Sequence, residues 1–458
     1  MPDANDVTQI VAGLAQEAGI PGAACTVLHA GAAIDVVTGW ANPQAGWVTT
    51  TETGFQIGSV TKMVTAMTLM ACVERGLLRL EDEVVDLVPG LRHSVDGRIA
   101  EIRVQDLLHH RSGFESQYWT DLGRGQSARR LTVTAVADVP LIHAPGEIFS
   151  YTNNGYVLAG YLVERLLGRD WEDAVEDLVC APLALETLSV LPERALLGPV
   201  ALGQLRDPVS PAGYRPARRW ATARGLASGG GITVSAHDLA RTVRAYAGLS
   251  HGAAGRPLST ETTTLMQETL TEVPGWKYEA WGLGHAVFPT VDGRTMLGHD
   301  GQSPSQAAAV RVVPDEDLVV TVCSNAAWGS AFASRAAEAL VAEFTGIRRT
   351  PPPAPDGSIA GVGPQYSGVF RRLNSLHSAQ RVGDRLVMTE TGTMSDQFGF
   401  FGITDAPSPT CTEYRPVHEG SFVADDGSEL HFLRPDAGGA PTWIHDGFRI
   451  ATRASPAR

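Results

Sequence analysis

Residues 58–62 read GSVTK, and the serine and lysine of this stretch decide how the chain is interpreted. A helical pattern runs from Ser59 to about Arg75, with Gly76 just after it, which predicts a helix whose first turn carries both side chains on one face. The helix N-terminus adds a positive potential that helps an oxyanion. A neutral lysine amine can remove the proton of a serine hydroxyl, provided that burial or a neighbouring cation lowers its pKa. Ser59 is therefore the candidate nucleophile and Lys62 its candidate base.

Two further motifs supply groups that a serine nucleophile needs. Tyr151 and Asn153 lie in the run FSYTNNGY. A tyrosine there can move the serine proton, and an asparagine can hold Lys62 and a substrate amide. His299 and Gly301 lie in LGHDGQ, just before a predicted strand; glycine lets a substrate backbone lie close, and histidine supplies a polar or cationic group. Taken singly, each motif also occurs as a buried or loop residue with no catalytic role.

Together and in this order, the three motifs resemble the serine β-lactamase and penicillin-binding-protein superfamily, whose first signature is S-x-x-K. The Tyr-x-Asn form of the second motif is typical of the class C-like branch. Further matches are dispersed over residues 7–345, among them VQDLLHHRSGF, GLASGGGITVSAHDLARTV and YEAWGLGHAVF. The resemblance implies an α+β fold of the β-lactamase/transpeptidase type, in which helices flank an antiparallel sheet and a further region is all-helical.

The resemblance also implies a role for each residue. Ser59 would be acylated, Lys62 and Tyr151 would activate it and shuttle protons, and the backbone N–H groups of Ser59 and Gln302 would form the oxyanion hole. Asn153 would position Lys62 and the substrate. The predicted substrate-binding residues are Asn153, His299, Gly301, Gly230, Trp220 and Arg449.

Several of these substrate contacts have a plain structural alternative. Gly230 belongs to a run of three glycines that equally suits a tight turn. Arg449 can pair with a substrate carboxylate or carbonyl, but the favoured interpretation is a solvated surface arginine. Tyr118 and Trp119, which follow Glu115 on a predicted loop, can shape a peptide pocket or simply pack.

The chain departs from the superfamily pattern at the third motif. His299 stands where β-lactamases and many transpeptidases have lysine. The histidine form is common in esterases, D-aminopeptidases and peptide cyclases of the branch. This difference disfavours a true β-lactamase.

A proline cluster divides the chain. Residues 349–362 are predicted to be a stiff linker that joins a catalytic domain, residues 1–348, to a second domain, residues 363–458. The second domain reads as short alternating strands joined by turns, which predicts a small antiparallel barrel or sandwich. It resembles the lipocalin-like modules that are attached to some relatives, and it can help to form the wall of the active site.

Composition limits the location and the partners of the chain. Hydrophobic residues make up 43%, enough for a sizeable core, and the net charge of −14 disfavours nucleic acid and anionic membranes as partners. The N-terminus lacks the basic and apolar regions of a secretory signal, and no run of about 18 apolar residues follows, so a cytoplasmic location is expected. The chain is also expected to be a monomer.

Neither a metal nor a cofactor is expected. The five scattered cysteines suit buried small apolar side chains rather than a disulfide framework or a metal site. The pair His109-His110 suggests metal at first glance, but the sequence offers no complementary set of carboxylates or cysteines.

A cytoplasmic member with a His-x-Gly third motif and a lipocalin-like domain resembles the penicillin-binding-protein-type thioesterases. Those enzymes take a peptidyl thioester ending in a D-residue onto serine and release a head-to-tail macrolactam in nonribosomal peptide biosynthesis. The expected partner is a peptidyl substrate, delivered on a carrier protein or as a thioester mimic. The alternatives are a cytoplasmic esterase or D-aminopeptidase, then a β-lactamase or DD-carboxypeptidase. A non-enzymatic binding protein is disfavoured because Ser59, Lys62 and Tyr151 are all intact.

Overall fold

A computed structural model of the chain describes residues 2–115, 121–249, 255–356, 362–392 and 409–454. Its α-helices vary from single turns to four turns. They are α1 Ala4–Ala18, α2 Thr61–Glu74, α3 Val84–Leu87, α4 Val104–Leu108, α5 Ala128–Ala137, α6 Asn153–Leu167, α7 Trp171–Val175, α8 Ala181–Leu183, α9 Pro192–Ala195, α10 Ala227–Gly230, α11 Ala236–Tyr246, α12 Thr260–Glu268 and α13 Ser330–Thr345.

The strands form a large sheet, a barrel and two small two-stranded sheets. Those before the proline cluster are β1 Gly22–His29, β2 Ala32–Asn42, β3 Trp47–Val48, β4 Phe55–Gln56, β5 Gln204–Arg206, β6 Tyr214–Pro216, β7 Thr233–Val234, β8 Thr271–Glu272, β9 Ala280–Trp281, β10 Ala286–Phe288, β11 Met296–Gln302, β12 Ala307–Val313 and β13 Leu318–Ser324. Those after it are β14 Gly368–Arg372, β15 Ser375–Val382, β16 Arg385–Gly392, β17 Thr410–His418, β18 Ser421–Ala424, β19 Glu429–Pro435, β20 Pro441–His445 and β21 Ile450–Arg453.

The large sheet is nine-stranded and antiparallel, in the order β3-β2-β1-β13-β12-β11-β10-β9-β8. Its central strands β12 and β13 are buried along their whole length because helices cover both faces. Their pairing runs from Ala307 opposite Ser324 to Val313 opposite Leu318. On one face, residues of α1 and α13 such as Val11 and Leu340 form the core. This arrangement confirms the predicted fold class.

Helix α2 lies in the core on the other face of the sheet. Every residue from Thr61 to Cys72 is buried, so the helix is surrounded by protein rather than amphipathic. It packs against α6, α10 and α11. Because the helix is enclosed, the polar side chain of Lys62 is carried into the interior, where its hydrogen-bond partners must come from neighbouring segments.

The C-terminal strands β14 to β21 form a closed eight-stranded barrel, one of the two architectures that the alternating pattern predicted. The barrel closes where β14 pairs with β21, with Phe370 opposite Arg453. Alternate residues such as Phe370, Phe422 and Ile444 fill its interior. The barrel therefore has a hydrophobic core of its own.

All five cysteines are free thiols. Four are buried, but Cys411 is exposed, so the expectation that all of them are buried is wrong for this residue. Cys411 lies on β17, near its start, on the outside of the barrel.

Across the described ranges, none of the helices is both long and apolar enough to cross a bilayer.

Candidate active site

Ser59 lies in a 3₁₀ turn, Gly58–Val60, that leads directly into α2. Gly58 has φ +51°, and a Cβ there would meet the backbone of Gln302 at 2.4 Å, so only glycine fits. The turn consequently packs directly against the end of β11. This contact brings the nucleophile-bearing turn and the third sequence motif together.

Lys62 is fully buried, and its amine has three polar neighbours. Nζ lies 3.0 Å from Ser59 Oγ, 2.7 Å from Asn153 Oδ1 and 2.6 Å from the carbonyl oxygen of Gly229. Burial, reinforced by the positive charge of Arg449, holds the pKa of Lys62 well below its usual value. The structure therefore places beside the serine hydroxyl an amine whose deprotonated form is favoured by its surroundings.

The hydrogen bonds of this amine decide which way its lone pair points. A neutral amine has two N–H donors and one lone pair. Asn153 Oδ1 and Gly229 O can only accept, so they take the two N–H groups. The lone pair is left facing Ser59 Oγ, which is the geometry that a base needs to accept the serine proton.

Tyr151 lies immediately before α6, with its ring enclosed by aromatic side chains. Phe448 stacks on it at 4.1 Å and His110 lies 4.0 Å away, measured between ring centroids. Burial raises the pKa of the Tyr151 hydroxyl, although the proximity of Ser59 and Arg449 acts in the opposite direction. The hydroxyl is buried and makes no hydrogen bond of normal length among the described residues. Tyr151 therefore stays protonated, as a neutral hydroxyl that can relay a proton.

The end of β11 forms the other side of the cleft. A Cβ on Gly301 would lie 1.9 Å from the carbonyl oxygen of Ile57, so the strand can approach the 3₁₀ turn only through glycine. The N–H of Ser303 bonds to Gln306 O. Because hydrogen-bonded residues alternate along an antiparallel strand, the N–H of Gln302 points away from β12, toward the turn that carries Ser59.

His299 is buried and lines the cleft as a neutral group. Burial, with the proximity of Lys62, lowers the pKa of His299 to about 3. Its Nδ1 is 2.6 Å from Asp300 O, whereas its Nε2 is buried with no hydrogen-bond partner among the described residues. The cationic role that the sequence left open is therefore wrong, and the polar role remains.

Asp300, next to His299, is held by a buried arginine. Arg311 Nη1 donates to Asp300 Oδ1 at 2.7 Å, and its Nη2 donates to Glu338 Oε1 at 3.0 Å. The arginine side chain is 0% exposed. Arg311 thus ties the cleft strand β11 to helix α13.

Replacing Arg311 with leucine is expected to lower the free energy of unfolding by about 2–3 kcal/mol, because two carboxylates lose their buried partner but keep some solvent contact. Urea denaturation measures the change. The matched control is Arg335→Leu, which breaks an exposed pair with Glu17 and is expected to cost less than about 1 kcal/mol. Equal losses in the two variants would contradict this account of Arg311.

Arg449 comes to the site from the barrel. Its Nε donates to the carbonyl oxygen of Tyr151 at 3.1 Å, and its guanidinium lies 5.3 Å from the Tyr151 ring. Arg449 lines the cleft and is only partly exposed. The favoured interpretation as a solvated surface arginine is wrong, because the barrel docks with its β20–β21 turn against residues 149–151.

That docking is made by hydrogen bonds, each with a backbone group on at least one side. Tyr151 N donates to Phe448 O at 2.9 Å, and Ile450 N donates to Ser150 Oγ at 3.2 Å. His445 Nε2 lies 3.1 Å from Phe149 O. The second sequence motif and the barrel turn are therefore fixed relative to each other.

Of the remaining predicted residues, some line the cleft and others do not. Gly230 lines the cleft, at the end of α10. Trp220 is not among the described residues that line it; its indole Nε1 donates to Ala201 O. Glu115 is buried, and its carbonyl oxygen accepts from Thr152 and Asn154. Tyr118 and Trp119 lie outside the described residues.

The cleft that these segments enclose has a volume of about 480 Å³. Several residues that line it were not predicted from the sequence: Thr222, Leu226, Lys277, Tyr278, Asp300, Ser303, Pro304, Ser330 and Phe448. Tyr278 begins the family match YEAWGLGHAVF, so the sequence offered a way to predict it. The sequence offered no such signal for Lys277 and Phe448, because their positions at the cleft depend on how the barrel docks.

No group of three or more metal-ligating side chains occurs in the part of the chain that the structure describes. His110 lies beneath Tyr151, and its Nδ1 accepts from Thr152 N. His109 Nε2 lies 2.9 Å from Thr269 O. The two histidines thus have separate structural contacts.

Comparison with known proteins agrees with this geometry. The family model described as Beta-lactamase matches residues 7–343. Penicillin-binding protein 4 of Amycolatopsis lactamdurans is 33% identical over 341 residues, which are 72% of this chain and 87% of that protein. Esterase EstB of Burkholderia gladioli is 31% identical over 240 residues, which are 45% of this chain and 60% of that one.

Among solved structures, the crystal structure of SurE superposes with a TM-score of 0.80 at 26% identity, covering 98% of this chain and 99% of that one. A second structure, of SurE with D-Leu, gives a TM-score of 0.77 at 25% identity with the same coverage. The likeness therefore extends over the barrel as well as the large sheet.

Proposed function

Because the chain belongs to the beta-lactamase family of acyl-serine enzymes, we propose that it transfers a peptidyl group from a thioester to Ser59 and then to the peptide's own N-terminal amine. The product is a head-to-tail macrolactam. The peptide is delivered as a carrier-bound thioester, and its C-terminal residue has the D configuration. SurE, whose fold spans both parts of this chain, has been solved with D-Leu, which supports a D-residue here.

The first half of the reaction acylates Ser59. Lys62 takes the hydroxyl proton, and Oγ attacks the thioester carbonyl carbon. The backbone N–H groups of Ser59 and Gln302 hold the resulting oxyanion. The carbon–sulfur bond then breaks, and the thiol leaves with the proton that Lys62 took from Ser59, which the Tyr151 hydroxyl passes on. The lowered pKa of Lys62 suits a base, and the raised pKa of Tyr151 keeps its hydroxyl protonated between transfers.

The second half releases the peptide. The N-terminal amine attacks the ester carbonyl carbon and loses a proton to Lys62, directly or through Tyr151. The bond to Oγ then breaks, and Ser59 recovers its proton. Because donor and amine belong to one molecule, the attack has a large proximity advantage over water at neutral pH.

The contribution of the barrel to the cleft carries this proposal. Phe448 covers one face of Tyr151 and Arg449 closes the edge, so the groups beside Ser59 are screened from solvent. A hydrolase needs water at this position, whereas an aminolysing enzyme benefits from its exclusion. The cover therefore favours an amine as the second acceptor.

A linear peptidyl thioester with a free N-terminus and a C-terminal D-residue is expected to give mainly cyclic product, measured by mass spectrometry. The matched L-residue thioester is expected to react at least about tenfold more slowly, since inversion misplaces the carbonyl. Free acid alone, across peptides of several lengths, would contradict cyclisation while leaving the acyl-serine chemistry intact.

The second candidate function is hydrolysis. The similarity to Esterase EstB and the neutral third-motif histidine favour it. In the same experiment this function yields free acid from both free and blocked peptides. A peptide with an acetylated N-terminus separates the two candidates, because only a hydrolase turns it over rapidly.

A further inference from the structure

The chain uses lysine very sparingly. Of its 36 basic residues other than histidine, 34 are arginine and only Lys62 and Lys277 are lysine. Both lie at the cleft: Lys62 contacts Ser59 Oγ, and Lys277 lines the wall. In a chain that meets almost every need for a cation with arginine, a lysine at the same cleft as the nucleophile indicates a specific requirement for a compact ammonium group.

The backbone of Lys277 is fixed from both sides. The buried carboxylate of Glu429, on barrel strand β19, accepts the N–H of Trp276 at 2.7 Å and that of Lys277 at 3.3 Å. Arg349 Nη2 donates to Lys277 O at 2.6 Å. Gly275 has φ +102°, and a Cβ there would lie 2.5 Å from Glu429 Oε2. The loop is therefore held in one conformation that turns the lysine side chain toward the cleft.

Among the described residues, the ammonium group of Lys277 has no anionic partner of its own. It lies 5.1 Å from the ring centroid of Phe448 and 5.5 Å from that of Tyr278, and no carboxylate of a described residue lies within 4.0 Å of it. Aromatic faces attract a cation without neutralising it. The ammonium group therefore remains available to a ligand.

The carboxylates of Asp300 and Asp446 act on this ammonium group and are already paired with arginines. Asp300 pairs with Arg311 at 2.7 Å, and Asp446 pairs with Arg372 at 2.7 Å. Tyr278, followed by these two carboxylates, holds the pKa of Lys277 above its usual value. Arg449 adds a second cation beside Phe448, 4.9 Å from its ring centroid. The cleft wall is thus cationic, although the chain as a whole carries −14.

We propose that Lys277 forms, with the face of Phe448, a subsite that binds a carboxylate side chain of the peptide near its scissile carbonyl. The inference rests on the proposed peptidyl-transfer function and specifies its substrate class: peptides with an acidic residue at or next to the C-terminal D-residue. An acidic side chain pairs with the ammonium, whereas a basic one is repelled. Glu429 is a positioning residue, since it holds the loop that presents Lys277.

Binding tests the subsite without chemistry. In Ser59→Ala protein, calorimetry is applied to linear peptides with D-Glu, D-Gln or D-Lys at the C-terminus, and to peptides that vary the preceding residue in the same way. At one of the two positions, the acidic peptide is expected to bind about tenfold more tightly than its amide counterpart, a difference of about 1.4 kcal/mol. The preference should shrink as salt is raised, because the ammonium is open to solvent.

Variants of Lys277 decide whether this residue is responsible. Lys277→Met is expected to reduce the acidic preference to within about twofold, and Lys277→Arg to retain part of it. Glu429→Gln is expected to weaken the preference while leaving the binding of the amide peptide nearly unchanged. No acidic preference at either position, or a preference that survives Lys277→Met, would overturn the subsite.

The proposed function is tested separately with wild-type protein and the corresponding thioesters. If thioesters are only hydrolysed while the calorimetric preference depends on Lys277, the proposed cyclisation is contradicted and the subsite is supported. If cyclic product forms and no variant alters the acidic preference, the cyclisation is supported and the subsite is contradicted.

Discussion

Replacement of Lys62 by methionine is expected to reduce the rate of Ser59 acylation by about 10³–10⁴-fold, because the serine loses the base that accepts its proton. Methionine is close to lysine in length and fills the same enclosed space within α2. The two acceptors, Asn153 Oδ1 and Gly229 O, lose their donor. Single-turnover kinetics with a peptidyl thioester, followed by release of the thiol, measures the rate.

The pH dependence of the wild-type protein gives an independent readout. Since burial, with the charge of Arg449, lowers the pKa of Lys62, its amine gains a proton at a lower pH than an ordinary lysine does. The acylation rate should therefore decline on the acidic side as Lys62 is protonated, and this decline should be absent from the residual activity of Lys62→Met. Arg335→Met, at an exposed position, controls for the replacement of a basic residue by methionine away from the site. A variant with near wild-type acylation and the same acidic limb would show that Lys62 is not the base.

Replacement of Gly301 by alanine is expected to lower kcat/KM by about 10²–10³-fold, the usual loss when an oxyanion-hole donor is displaced. The added Cβ would lie 1.9 Å from Ile57 O and 3.0 Å from Val60 N. The end of β11 must then move away from the 3₁₀ turn, which carries the N–H of Gln302 away from that of Ser59. The loss should appear in kcat rather than in KM.

The control for Gly301→Ala is Gly90→Ala, where a Cβ would meet no atom within 4 Å. Steady-state kinetics and urea denaturation are measured for both variants. If Gly301→Ala changed KM alone, or lost activity only in proportion to unfolded protein, the close approach of β11 would have no role in the chemistry.

The central cluster could be predicted from the sequence because its members are tied to local patterns. Ser59 and Lys62 share one helical turn, and Tyr151 and Asn153 belong to one short motif. The family predicted from these motifs is confirmed by the match over residues 7–343. The fold class follows from the family, whereas the alternation of the C-terminal strands predicted either a barrel or a sandwich.

What could not be predicted depends on contacts between segments that are far apart in the chain. Arg449 and Tyr151 are 298 residues apart, yet the docking of the barrel places one on the other. Lys277 enters the cleft because Glu429, 152 residues later, fixes its backbone. The neutral state of His299 follows from burial, which no local pattern specifies.

The most direct test of the account is the identification of the acylated residue. A peptidyl thioester with an acetylated N-terminus and a C-terminal D-residue cannot cyclise, so an acyl-enzyme should accumulate and be visible as one added peptidyl mass. Proteolysis and mass spectrometry should then locate the adduct on the peptide that contains Ser59, and Ser59→Ala protein should form none. An adduct on any other residue, or an adduct of equal amount in the Ser59→Ala protein, would contradict the account.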